Sequence, residues 1–119
     1  MPNVWLTHET DQERDLSSAH RYGTLRPLLS QSDRPGKTPG PAIWKIFKAL
    51  KENYQPEDYI CIPGGDPLAA LLTGAALAML NVKEVNFLRY ERERALDGSR
   101  TGAGFYVPIT CKFPWGLEQ

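Results

Sequence analysis

Apolar and polar positions follow several distinct rhythms along this chain. Tyr59 to Ile62 is a short run of aromatic, β-branched and small apolar residues, stopped by Pro63-Gly64-Gly65. A run of that kind, closed by turn formers, predicts a buried strand. From Pro67 to Leu80 there is no charge, and Thr73 is the only polar side chain. Asp66 suits the N-cap of a helix there, because its carboxylate can accept bonds from the first unpaired N–H groups. Pro67 suits the first helical position, where a missing N–H costs nothing. Asn81 suits the helix stop, and Val85 to Tyr90 predicts a second strand. Strand, helix and strand make a βαβ unit, right-handed and parallel.

The uncharged helix raises a question of cover. Ala70, Gly74 and Ala78 recur every fourth residue and flatten one face, while six Leu and Met side chains occupy the other directions. A helix that is apolar all round is expected to be buried on more than one side. Its fourteen residues span roughly 21 Å, short of the roughly 30 Å core of a bilayer. The sequence therefore predicts that another segment, or a second copy in a twofold dimer, covers the outer face. Within the chain, the candidate cover is Leu16 to Leu29.

The remaining elements follow the same logic. Asn3 to Thr7 predicts a first strand. Asp15 could cap a short helix reaching Tyr22, with Gly23 as a left-handed stop. Leu25 to Leu29 contains Pro27, which restricts it to a sheet edge. Ser30 to Gly40 has the composition of a surface loop. Pro41 to Tyr54 is an amphipathic helix, with Ile43, Ile46, Phe47 and Leu50 at core spacing. Trp44 widens its apolar side, and Lys45, Lys48 and Lys51 line the opposite one. After a glycine-rich turn, Phe105, Val107, Ile109, Cys111 and Phe113 alternate with polar positions, predicting a strand that buries the odd face. Pro108 makes it an edge strand. The fold class is α/β: one compact domain over residues 1–116, with a mainly parallel sheet of four or five strands, an antiparallel edge hairpin and two main helices. Residues 117–119 read as a tail, added rather than folded.

Composition narrows the function without naming it. Fourteen basic residues balance fourteen acidic ones, so no global field favours nucleic acid or an anionic membrane. Arg89, Arg92, Arg94 and Arg100 gather near Tyr90 and Tyr106, but Glu84, Glu91, Glu93 and Asp97 cancel them. The lysine row of the amphipathic helix reads as a solvated face, with phosphate binding as the alternative. Nucleic acid is accordingly not an expected partner. Cys61 and Cys111 have no zinc-ligand spacing and no disulfide framework around them. Gly36-Lys37-Thr38 falls short of a phosphate-binding loop, since Gln31 stands where the first glycine is needed.

Ligands of open α/β sheets bind beyond the carboxyl ends of the strands. That rim would hold Thr7, His8 and Glu9 after the first strand, and Gly64, Gly65 and Asp66 after the central one. The Gly-Gly turn could cradle an anion with backbone N–H groups. Asp66 puts a negative charge where the phosphate would sit and Pro67 removes a donor, so a capped structural turn is the better reading. An Asp there could instead accept a ribose hydroxyl or bind a metal. A paired-carboxylate metal site fails, because Leu68 stands two residues beyond Asp66. Ser17, Ser18, Ser99 and Cys61 lack nucleophile contexts. No residue is assigned a catalytic or metal-binding role, and the cofactor is unknown.

Two segments carry a resemblance. Asp15-Leu16-Ser17-Ser18-Ala19 with Tyr22-Gly23 and Leu25, then Asp58-Tyr59-Ile60, Ile62 and Gly64-Gly65-Asp66-Pro67, resemble small proteins encoded by tailed bacteriophages that generally have no assigned activity. The resemblance implies an accessory protein made in a bacterial cytoplasm, serving host takeover, and carries no catalytic residue. Two function classes stand. One is a protein that binds an unidentified host or viral protein without catalysis. The other is a nucleotide- or small-ligand-binding protein, or small enzyme, using the rim.

Overall fold

Five strands form one sheet in the order β2-β1-β3-β4-β5 in a computed structural model that describes residues 1–9, 16–64, 66–94, 98 and 100–114. The strands are β1 (Asn3–Leu6), β2 (Thr24–Pro27), β3 (Tyr59–Cys61), β4 (Glu84–Arg94) and β5 (Arg100–Lys112). β1 pairs in parallel with β2 and β3, and β3 in parallel with β4, while β4 and β5 form an antiparallel hairpin. The helices are α1 (Ser17–His20), α2 (Pro39–Asn53) and α3 (Pro67–Met79). The expected class, the central position of β3 and the edge positions of both proline-bearing strands are all present.

The strand order follows from connection handedness. The chain steps outward from β1 to β2, then returns past β1 to β3 and continues to β4. With right-handed crossovers, reversing direction moves the connecting helix to the opposite face of the sheet. Two cores result. On one face, α2 and α3 bury Ala42, Ile46, Leu50, Ala69, Ala76 and Leu77 against Trp5, Ile60 and Val85. On the other, Ala19 of α1 packs with Val4, Leu6, Cys61, Leu88 and Tyr106.

α3 begins as its sequence predicts. The Asp66 carboxylate accepts from the Ala69 N–H at 3.1 Å, and Pro67 occupies the first turn. Asn81 stops it in the left-handed region, with φ 59°. Thr73, the lone polar residue of the helix, is buried and donates to the Ala69 carbonyl at 2.8 Å. α2 starts at Pro39, two residues earlier than predicted, and its N-cap Thr38 makes no side-chain capping bond.

Four expectations are corrected. The segment Leu16–Leu29 does not cover the outer face of α3: its α1 portion packs on the opposite side of the sheet with Leu16, Tyr22 and Leu25, while Leu28 and Leu29 join the core of α2 and α3. Gly23 is not a left-handed stop. It is required because a Cβ there would collide with the Pro2 carbonyl, which accepts the Thr24 N–H at 3.0 Å. In β5 the even-numbered Tyr106 is buried, whereas Phe105, Ile109 and Cys111 are exposed. The phase of alternation is right, but the odd face looks toward the α3 side beyond the helix, and α1 lies against the even face. Ser18 of α1 accepts the Tyr106 N–H at 2.9 Å. Finally, Trp44 does not extend the buried side of α2; it is 64% exposed. The expected cap Asp15 and Trp115 lie outside the described residues.

Candidate functional site

The strand order reverses between β1 and β3, the place where ligands of open α/β sheets bind, beyond the carboxyl ends of the strands. This is the rim singled out from the sequence, and the structure brings part of it together. Thr7 continues β1 through its N–H, which donates to the Cys61 carbonyl at 3.1 Å, and the residue is fully buried. Its hydroxyl lies 3.0 Å from His8 Nδ1. His8 Nε2 lies 2.7 Å from the Gly64 carbonyl oxygen. A carbonyl can only accept, so Nε2 carries the proton, and in the neutral ring Nδ1 accepts from Thr7. A charged ring would donate from both nitrogens and keep both contacts. His8 is thus a strut joining the β1 and β3 loops. Gly64 has φ 101°, a conformation that a side chain would strain.

The other predicted site residues are placed differently. Asp66 is engaged as the α3 cap. Glu9 is exposed and turned toward the neighbouring loop, its N–H donating to the Leu29 carbonyl at 2.7 Å. Gly65 lies outside the described residues. No group of three His, Cys, Asp or Glu residues that could hold a metal occurs among the described residues.

Asp58, at the opposite end of β3, was not singled out from sequence. Its carboxylate is buried and accepts from Asn3 N and Trp5 Nε1 at 2.9 Å each, and from Gln55 N at 3.0 Å. Three donors compensate the buried charge, so this is a structural clamp between β1 and β3. A buried Trp indole that needs an acceptor was the available signal. Tyr54 lies nearby. Burial, reinforced by the Asp58 charge, pushes its phenol up to about 12.

A second candidate surface is the outer side of the helical layer. Pro67, Leu71, Gly74 and Ala78 share one face of α3 and are all exposed, Leu71 by 67%. Met79 is 59% exposed at the end of the helix. Among the described residues no segment covers this stripe. α2, packed beside α3, exposes Trp44 and the three lysines instead. No helix among the described residues is long and apolar enough to cross a membrane.

The family profile of the phage Pam3 gp32-like protein matches residues 3–96, which run from the start of β1 to just past β4. The chain belongs to that phage protein family. No curated protein and no solved structure matches it. The match includes the rim, the Asp58 clamp and both main helices, and stops short of β5.

Proposed function

We infer that this member of the family is a phage accessory protein that acts by binding a host or viral protein through the outer face of α3, without catalysis. One observation carries the reading: a thirteen-residue helix whose solvent side offers Leu71, Gly74, Ala78 and Met79 and no charge. A contiguous apolar patch on a folded chain is a common mark of a protein interface. The small residues Gly74 and Ala78 let a partner backbone come close, and Leu71 is the side chain suited to enter a pocket on it. The partner's complementary chemistry is an apolar helix or groove. A second copy of this chain is the rival occupant.

Leu71→Glu tests this. Leu71 is exposed, so the variant keeps the wild-type unfolding temperature within a few degrees. Capture from infected-cell lysate by wild type, lost with Leu71→Glu, supports a heterologous partner. Light scattering over a wide concentration range identifies the rival: a concentration-dependent dimer that Leu71→Glu splits makes the face a self-association surface. Equal capture by both proteins defeats the reading.

The rim supports a second reading, a small-ligand site, because Thr7, His8 and Gly64 meet at the strand-order reversal. A thermal shift with one nucleotide or divalent metal, abolished by Asp66→Ala after allowance for its lower starting stability, would favour it.

A further inference from the structure

The balanced charge of the chain conceals an uneven distribution. Residues 16–51 contain seven Lys or Arg residues and a single acid, Asp33. All seven cations are exposed. Six of them, Arg26, Arg34, Lys37, Lys45, Lys48 and Lys51, belong to β2, its outgoing loop and α2, which follow one another along one flank of the molecule. Arg26 pairs in register with Trp5 and lies 4.7 Å from its ring, so it projects on the α2 face. Lys45 reaches the loop through Asp33 at 2.7 Å. Among the described residues, the acids sharing this flank are Asp33, Glu52 on α2, and Glu9, whose backbone is held to Leu29. Six cations therefore share this flank with three acids among the described residues. The mixed charges of β4 lie three strands from β2, about 14 Å. The screening length at physiological salt is about 8 Å, so the charges of β4 do little to offset Arg26 on β2, and the described part of this flank carries an excess of cations.

An aromatic ring stands in the middle of this surface. Trp44 is 64% exposed and is backed by Phe47, with centroids 5.7 Å apart and planes 17° from parallel. Lys51 Nζ lies 5.9 Å from the Phe47 ring. Lys45, Lys48 and Lys51 recur every third residue, about 4.5 Å apart along the helix axis. A supported, open indole beside a slanted row of ammonium groups combines the two things an unpaired nucleotide strand needs: a stacking platform and phosphate neutralisation.

We propose that the α2 flank binds single-stranded nucleic acid, with Trp44 stacking on a base and Lys48, Lys51, Arg34 and Lys37 contacting phosphates. This surface is separate from the α3 face and does not depend on it. The direct test is fluorescence anisotropy with a labelled oligothymidine strand and with a duplex of equal length. The expected result is saturable binding of the strand that weakens between about 50 and 200 mM salt, with a log–log slope near −0.7 per phosphate contacted. The double variant Lys48→Glu, Lys51→Glu lowers affinity by more than roughly tenfold and flattens that slope. Trp44→Ala lowers affinity roughly tenfold and leaves the slope unchanged. Leu71→Glu, on the other helix, leaves strand binding intact. All these positions are exposed, and unchanged thermal unfolding verifies that each variant is folded. Failure to bind the strand at low salt overturns the proposal. Binding that the duplex shares equally and that Trp44→Ala does not touch overturns it too.

Discussion

α2 and α3 lie side by side on the same face of the sheet, yet they solve opposite problems. Each buries one face, anchored by Ile46 and Leu50 in α2 and by Ala76 and Leu77 in α3. Their outer faces share nothing. α2 shows solvent a lysine row and one tryptophan, whereas α3 shows an uncharged strip of Leu71, Gly74, Ala78 and Met79. Burial requirements shape the inner faces alike and leave the outer faces free to differ. The two surfaces are read as two binding faces of different chemistry.

The comparison can be broken first at its common side. Ile46→Ala and Leu77→Ala are each expected to cost about 2–5 kcal/mol, measured by urea unfolding. If one were nearly neutral, that helix would be only loosely docked and the equivalence of the inner faces would fail.

The amino ends come next. Asp66 caps α3 with a bond to Ala69, and Asp66→Ala should cost about 1 kcal/mol. Thr38 makes no such bond at α2, so Thr38→Ala should cost only a few tenths of a kcal/mol, since an unmade cap cannot be lost. Matching losses would mean that the two caps do not differ.

pH separates the carboxyl ends. α2 ends on Tyr54, whose phenol is pushed up from 10.0 to about 12 by burial and then by the Asp58 charge. The folded state therefore holds this proton more tightly than the unfolded chain does. The resulting stability is intact below pH 10 and is lost as pH rises through about 12. Tyr54→Phe should flatten the alkaline limb of the stability curve relative to wild type. Its buried hydroxyl finds no partner among the described residues, so the same change should not destabilise the protein at pH 7. An unchanged alkaline limb would show that Tyr54 does not titrate differently on folding.

The smallest expected effects are on the outer faces. Leu71→Glu and Lys48→Glu should each move stability by less than about 0.5 kcal/mol. A large loss for Leu71→Glu would show that α3 is covered within the molecule and is not an interface. At acid pH a minor contribution comes from Asp33. The Lys45 hydrogen bond, followed by the Ser30 N–H, holds its carboxyl below the ordinary carboxylate range. That contribution is present above the unfolded value and fades as pH falls through the folded one.

How much of this was legible depended on whether the signal was local. Pro63-Gly64-Gly65-Asp66-Pro67 stops a strand and starts a helix within five residues, so the βαβ unit could be read directly. The inward face of β5 could not. Alternation fixes which residues share a side, but only the placement of α1 decides which side is covered. Likewise Thr7 and His8 could be assigned to a rim, yet the 2.7 Å contact between His8 and Gly64 joins residues 56 positions apart and depends on β3 lying next to β1. The basic flank was hidden for a related reason. Its charges stand in plain view between residues 16 and 51, but the total for the chain is zero, and only the strand order shows that the mixed charges of β4 lie away from β2.

The clamp at Asp58 also bears on how the chain comes to be folded. β1 is made before both of its neighbours in the sheet. Its indole anchor, Trp5, finds its acceptor only 53 residues downstream. A chain emerging from the ribosome must therefore carry Trp5 without its acceptor until β3 has been synthesised, and Val4 and Leu6 without Leu88 and Tyr106 until β4 and β5 have followed. Parallel pairing over such separations is slow to form, while the β4–β5 hairpin is local and can close early once made. At about 5–20 residues per second, the wait from β1 to β3 lasts several seconds. During that interval the indole of Trp5 has no native acceptor.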